Sequence, residues 1–204
     1  MKKGIPFALR TETPADIADF VNNNFREIFE ERVGGYTLEE LDDRYLNDND
    51  DRYLNDNSVV QVIHSQESSY GTGTTQIPPD DTIPQNTEGD EYLSVSITPR
   101  NSKNILMIEA LVSASISGNT TITMALFKNA DSGAIASTWN SVGANEASQL
   151  YLKHQMIANT TNQITFKIRC GPSGAVSLYI NGYNGNRYFG GTMVSFITIT
   201  EYSA

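Results

Sequence analysis

The chain has 204 residues, 24 acidic against 14 basic side chains, a net charge of -10, one Cys and a mean hydropathy of -0.35. One Cys excludes a disulfide-stapled scaffold, and the acidic balance argues against a protein that wraps nucleic acid. No apolar run approaches the roughly 20 residues that span a bilayer, so membrane insertion is not expected. The stretch Ile5 to Leu9 is too short for a secretory signal.

Composition divides the chain. Residues 1–57 contain no Ser and carry 14 acidic against 7 basic residues, whereas residues 58–204 contain 18 Ser, 16 Thr and 10 acidic against 7 basic residues. Only the second part is long enough for an independent core. Three segments follow: 1–35, a helical attachment segment; 36–57, a stalk; and 58–204, a β-domain.

In the first segment Thr13 suits the N-cap, Pro14 the first helical position and Asp16 the capping-box spacing. Ile17, Phe20, Val21, Phe25, Ile28 and Phe29 recur at helical spacing, Val33 extends the series, and Gly34-Gly35 ends it. A lone helix of this length is marginal in water, so these residues are expected to serve self-association or docking on another protein.

The second segment starts at Thr37, with Glu40 three residues on, and runs into an octad repeat: Asp43-Arg44-Tyr45-Leu46-Asn47-Asp48-Asn49, then Asp51-Arg52-Tyr53-Leu54-Asn55-Asp56-Asn57. Eight residues drift by roughly 80° around a helix, but an even period returns Tyr45 and Tyr53 to one face of an extended chain, about 26 Å apart. One copy buries almost nothing, so a thin stalk shared by several chains is expected. The Asn/Asp run at 47–51 invites calcium. It lacks the Gly and bidentate Glu of a helix–loop–helix site, and a solvated acidic face is the expectation.

Residues 58–204 read as eight strands, near 59–64, 92–98, 105–115, 121–128, 148–157, 163–170, 175–181 and 192–202. Ile164, Phe166, Ile168 and Cys170 share one face; Leu93, Val95 and Ile97 share another; Val176, Leu178 and Ile180 a third. Turn signals punctuate them, at Ser117-Gly118-Asn119, Asp131-Ser132-Gly133, Gly171-Pro172-Ser173-Gly174, Asn181-Gly182 and Asn184-Gly185. The predicted fold is mainly β, a two-sheet sandwich of jelly-roll type. In 105–115 and 193–197 both strand faces are partly apolar, as expected of a subunit that packs against copies of itself.

The run Ile83-Pro84-Gln85-Asn86-Thr87-Glu88-Gly89-Asp90-Glu91-Tyr92 resembles the opening of a C-terminal domain common in bacteriophage fibre proteins. The end, Asn181-Gly182 through Phe189-Gly190-Gly191-Thr192 to Glu201, resembles the close of the same domain. The Tyr-Leu-Asn octad is similar to the repeats that precede such tips. This resemblance, over residues 43–204, implies a virion fibre made in the host cytoplasm and exposed on the particle: a homotrimer joined to another virion protein through its N-terminal segment. Its tip is expected to bind a host-surface glycan or protein. The alternative it leaves is a capsid- or neck-attached decoration fibre.

No catalytic constellation emerges, so an enzyme is not expected. Gly171-Pro172-Ser173-Gly174 lacks nucleophile-elbow spacing. His154 shares a strand face with Leu150, Leu152 and Met156, which marks a packed histidine. His64 has no second ligand at metal spacing, and Cys170 reads as a buried thiol; neither metal nor cofactor is expected. The receptor-binding candidates are Trp139 and Asn140 in one predicted loop, and Tyr183, Asn184, Asn186, Arg187 and Tyr188 in another. Rings there offer rigid contact area, and amide and guanidinium groups fix polar partners. The competing reading has Tyr188 and Phe189 plugging the sandwich or a trimer axis.

Overall fold

A computed structural model describes residues 58–204. The predicted attachment helix, with Ile17, Phe20, Val21, Phe25, Ile28 and Phe29, and the octad stalk lie outside the described residues. The domain is built from strands throughout: β1 (Val59–Glu67), β2 (Gly71–Gly73), β3 (Asp90–Ile97), β4 (Ile105–Ile116), β5 (Thr120–Lys128), β6 (Ala136–Val142), β7 (Ala147–Ile157), β8 (Ile164–Pro172), β9 (Leu178–Ile180), β10 (Gly182–Tyr183), β11 (Asn186–Arg187) and β12 (Ser195–Tyr202). A short 3-10 turn, Phe189–Gly191, precedes β12.

The strands form two main antiparallel sheets, and β10 and β11 make a separate two-stranded hairpin. One main sheet runs β3-β8-β5-β6. In the other, β4 pairs with β7 along one edge, from Ile105 to Ser115. The opposite edge of β4 is shared: β12 pairs with Ile105 to Leu111 and β9 with Ala114 to Ile116. Beyond them lie β1, against β12, and β2, against β9. From β2 to β9 the chain passes repeatedly between the two sheets, β5 and β6 being the one consecutive pair within a sheet, in the manner of a jelly roll.

The alternation read from the sequence builds the core. Leu106, Ile108, Ala110, Val112, Ala114 and Ile116 of β4 face Ile122, Met124 and Leu126 of β5 and Ile164, Phe166, Ile168 and Cys170 of β8 in one buried cluster. His154 sits on the inner face of β7 opposite Ile108 and is half-buried, as its neighbours predicted. Cys170 is fully buried, and that burial pushes its thiol above the usual range, leaving an inert group.

Four short strands escaped the sequence reading: β2, β6, β10 and β11. Gly171 and Pro172, expected as a turn, continue β8 instead, paired with Thr123 and Ile122. Asn184-Gly185 does form the tight turn of the β10–β11 hairpin. Both residues take positive φ, 46° and 87°, which Asn tolerates and Gly adopts freely.

One buried charge organises the end of the sandwich. Glu201 of β12 is inaccessible to solvent. Its Oε1 accepts hydrogen bonds from Arg100 N at 2.8 Å, Asn101 N at 3.4 Å and Asn104 Nδ2 at 2.6 Å, and its Oε2 from Gln61 Nε2 at 2.5 Å. The carboxylate thus ties the β3–β4 loop and β1 to β12. Glu201→Ala leaves these donors without an acceptor and should cost about 3 kcal/mol. Glu201→Gln, which keeps one carbonyl oxygen, should cost roughly half as much. Urea unfolding midpoints check both; a change below about 0.5 kcal/mol for Ala would show that the clamp is dispensable.

Candidate functional site

The candidate residues separate into two places: Trp139 and Asn140 are on a strand and not in the loop expected for them, while Tyr183 to Tyr188 gather around one short hairpin. Trp139 and Asn140 lie on β6, an edge strand, where they point to opposite faces. Ala136 and Val142 reach the core from β6, so Ser137, Trp139 and Ser141 point outward. Asn140 donates from Nδ2 to Ser148 Oγ at 2.7 Å, and bridges the two sheets instead of joining Trp139.

The second group surrounds the β10–β11 hairpin. Tyr183 packs edge-on against Tyr179, with ring centroids 5.2 Å apart, and its hydroxyl bonds to Asn145 Oδ1. Asn184 forms the turn. Gly185 N donates to Tyr70 Oη at 2.9 Å, and Tyr70 stacks on Tyr179. Asn186 donates back to the Asn184 carbonyl at 3.2 Å. Arg187 pairs with Gly182 in the hairpin. Asn181 anchors the hairpin's base. It is buried at φ 56° and donates to the carbonyls of Glu67 and Ser69 while accepting from Ser195 Oγ at 2.9 Å. Most polar groups here are used to hold the hairpin, so they read as scaffold. Tyr188 and Phe189 do not plug the sandwich. Phe189 is 71% exposed and adopts φ 51°, a conformation rare for a bulky side chain.

Around Trp139 the geometry is different. On β5, Ile122, Met124 and Leu126 face the core, so Thr121, Thr123, Ala125 and Phe127 face the other way. Ala125 and Phe127 are covered there by Ile77 and Ala134 in a second apolar cluster. Ile77 belongs to the 74–89 segment, which crosses the outer face of this sheet. Thr75 Oγ1 donates to Asp90 Oδ1 at 2.8 Å, Ile77 N to Pro172 O at 3.1 Å, and Ala134 N to Pro84 O at 2.9 Å. Gly171 permits the crossing, because a β-carbon there would stand 2.5 Å from the Thr75 carbonyl oxygen and 2.8 Å from Ile77 Cγ1.

Past Ile77 the segment rises from the sheet and leaves a cleft of about 450 Å³. Pro78, Pro79, Asp80, Thr82 and Pro84 make one wall, Trp139 the other, and Thr121, Thr123, Ser137 and Thr138 complete the lining. Trp139, 62% exposed, stands directly across the ladder from Thr123. The Thr121 and Thr123 hydroxyls are buried without a hydrogen-bond partner. Asp80 Oδ1 accepts from Thr82 Oγ1 at 2.5 Å and Thr82 N at 2.9 Å. The Thr82 hydroxyl, then its N–H, hold the Asp80 carboxyl below its ordinary range. Sequence reasoning flagged only Trp139 here. The threonines are ordinary strand residues, and the prolines lie over 50 positions away.

The two histidines are engaged elsewhere. His64, which does not end its strand as expected, pairs through Nδ1 with Thr198 Oγ1 at 2.8 Å and lies 5.7 Å from the Phe196 ring. Among the described residues no three His, Cys, Asp or Glu groups come together as metal ligands.

The fold thus defines a two-sheet antiparallel jelly-roll domain with a hydroxyl-lined cleft beside its single Trp. Residues 78–204 match the sequence profile of the Pgp3 C-terminal domain, and the chain belongs to that family. This overturns the bacteriophage-fibre resemblance and the virion location drawn from it, because the family is that of a Chlamydia plasmid-encoded protein. The physical reason lies in the motifs. Ile83 to Gly89 is the segment that crosses a sheet, and Asn181 to Glu201 is a hairpin followed by a closing strand. Such crossings and closing strands belong to the fold and do not by themselves carry lineage.

No curated protein matches the sequence. Among solved structures, the chain is similar to the Eiger TNF of S. frugiperda at 11% identity and a TM-score of 0.38, covering 69% of this chain and 92% of that one. It is also similar to dimeric latent PorU of Porphyromonas gingivalis at 12% identity and a TM-score of 0.40, covering 74% and 13%. A third likeness is to the CBM22-1 xylan-binding domain of Paenibacillus barcinonensis Xyn10C, at 10% identity and a TM-score of 0.31, covering 73% and 97%. At TM-scores this low none of them bears on function.

If Gly171 is what seats the cleft's proline wall, Gly171→Ala should destabilise the domain by about 1–3 kcal/mol through overpacking. It should also alter the emission of Trp139, the chain's single Trp. Denaturant titration and fluorescence read both effects. An unchanged midpoint with unchanged emission would mean the segment adjusts without moving the wall.

Proposed function

We propose that residues 58–204 form a non-catalytic, self-associating recognition domain, a homotrimer that presents its Trp139-bearing sheet outward. The supporting observation is the outer face of the β1-β12-β4-β7 sheet. Read across the register, Val59, Tyr202, Ile105 and Ile157 form one row, and Val62, Thr200, Met107 and Gln155 the next. His64, Thr198, Glu109 and Lys153 form the third, and Gln66, Phe196, Leu111 and Tyr151 the fourth.

Val59, Val62, Tyr151 and Ile157 on this face are each at least half exposed. Burying a Val or Ile side chain is worth about 1.5–3 kcal/mol, and contiguous apolar patches of this kind mark association surfaces. The row that carries the charges is internally satisfied. Lys153 Nζ lies 3.5 Å from Glu109 Oε1, and Tyr151 Oη donates to the same oxygen at 2.6 Å. A second copy could therefore cover the row without leaving a charge unpaired. Three copies around an axis suit the expectation of a narrow shaft shared by several chains. They would also multiply weak recognition sites into one avid body.

The non-catalytic reading is supported by what the reactive groups do. Both histidines and the cysteine are occupied by packing or by a structural hydrogen bond.

Light scattering of the purified chain should give three times the 22.5 kDa protomer mass. Val62→Lys combined with Ile157→Lys places two charges on this face, at positions already more than half exposed. The double variant should keep the circular dichroism of the parent while its mass falls to that of one protomer. A wild-type chain that runs as a monomer at micromolar concentration, or a double variant that stays assembled, would overturn the assembly.

A further inference from the structure

We infer that the cleft between Trp139 and the Pro78–Pro84 segment is a binding site for a neutral sugar, with a pyranose ring stacked on the indole and its hydroxyls turned to the threonine floor. The inference rests on the recognition reading above and names its ligand class.

The chemistry of the lining selects the ligand. A pyranose has an apolar face of C–H groups and a rim of hydroxyls. The cleft offers the matching surfaces: one exposed indole, two prolines side by side and a third beyond, the hydroxyl side chains of Thr82, Thr121, Thr123 and Ser137, and one carboxylate. Its volume of about 450 Å³ lies within the range of small-ligand sites. No Lys or Arg lines it, and the charge it carries is that of Asp80, so an anionic sugar or a phosphate finds no counter-charge there. Asp80 Oδ2 has no partner among the described residues, while Oδ1 is held by Thr82. A carboxylate oxygen in that position is a strong acceptor for a sugar hydroxyl.

The independent sign is the floor. Thr123 is 94% buried, lies across the ladder from Trp139 and lines the cleft, yet its hydroxyl has no partner; Thr121, half-buried on the same face of β5, also lines the cleft with an unpartnered hydroxyl. Buried polar groups are almost always satisfied, and the exceptions ask for a reason. Hydroxyls that can both donate and accept are the groups a sugar rim would complete. The walls need little reorganisation to receive it. Proline fixes its own φ, and the segment is pinned on either side of the cleft by Ile77 N to Pro172 O and Ala134 N to Pro84 O. A preformed site of this size suits a single weak contact, with a dissociation constant of about 0.1–10 mM per protomer.

Because Trp139 is the chain's only Trp, its fluorescence reports this cleft alone. The full chain is titrated with the methyl glycosides of glucose, galactose, mannose, xylose and N-acetylglucosamine, with 3′-sialyllactose and a proline-rich decapeptide as comparators. At least one neutral glycoside should produce a saturable change in emission, and saturation-transfer NMR should show its ring protons receiving magnetisation. Trp139→Ala should abolish that transfer. Thr123→Val, which removes the unpartnered hydroxyl at nearly constant shape, should weaken binding roughly tenfold while the domain unfolds at the same or a higher temperature. A merely structural threonine would not give that opposite pair of effects. The inference is overturned if no glycoside in the panel binds below about 10 mM, if binding survives Trp139→Ala, or if the decapeptide alone saturates the signal. Repeating the titration on the Val62→Lys/Ile157→Lys variant separates the two proposals. The cleft lies on the other sheet, so a monomer that still binds sugar keeps this site even where the assembly fails.

Discussion

The domain depends on β4 being apolar on both faces. A strand in a two-sheet sandwich needs only one apolar face, and the other is normally left to water. Here Leu106, Ile108, Ala110, Val112, Ala114 and Ile116 turn inward and are buried, while Ile105, Met107 and Leu111 turn outward among Tyr202, Ile157, Phe196 and Tyr151. The same strand carries β7 along one edge and both β12 and β9 along the other. Its inward face therefore fixes the core, its edges fix the sheet, and its outward face sets what a partner copy would meet. Glu201 fits that frame. A fully buried carboxylate is tolerable only when donors converge on it, and the donors come from β1 and the β3–β4 loop, the two pieces that must stay registered with β12 and β4.

How much of this was legible follows from where the information sits along the chain. Period-two alternation is local, so β3, β4, β5, β7, β8 and β12 could be read to within two or three residues, and the buried row Ile164, Phe166, Ile168 and Cys170 was placed correctly. β6 was not. Its inward residues are Ala136, Thr138, Asn140 and Val142, a weak apolar signal, and as an edge strand it needs no more than that. Trp139 on its outer face then looked like a loop aromatic. Gly171-Pro172 misled for a related reason. The dipeptide usually breaks a strand, but here Pro172 is the last residue of β8 and offers only a carbonyl, while Gly171 is kept bare by the segment lying on it.

The cleft itself could not have been found by pattern. Trp139 was visible as a single exposed-type aromatic, but its floor comes from β5 and its far wall from the 74–89 segment, more than fifty residues upstream. Their meeting depends on one missing side chain at position 171. The apparent kinship to phage fibres failed in a complementary way. Its motifs were local, and local motifs at the entry and exit of a sheet report the architecture those crossings serve. Lineage is carried by the longer match over residues 78–204.

Three buried oxygens lack partners among the described residues, and they are not equivalent. Tyr92 Oη lies beside the Asp90 carboxylate and over Gly73, away from the cleft, and its burial, followed by the Asp90 charge, pushes the phenol well above its ordinary range. Thr121 and Thr123 sit together on one face of β5 in the floor of the cleft. A buried hydroxyl left unbonded costs about 1–3 kcal/mol, and a valine in either place would avoid that cost at the same volume. Elsewhere this domain leaves little unsatisfied: Glu201 has four donors, and Asn181 uses its backbone and both side-chain polar atoms. A fold that satisfies its isolated polar groups so fully, yet keeps two adjacent hydroxyls bare opposite its only Trp, has placed them where a ligand's hydroxyls can complete what the protein does not.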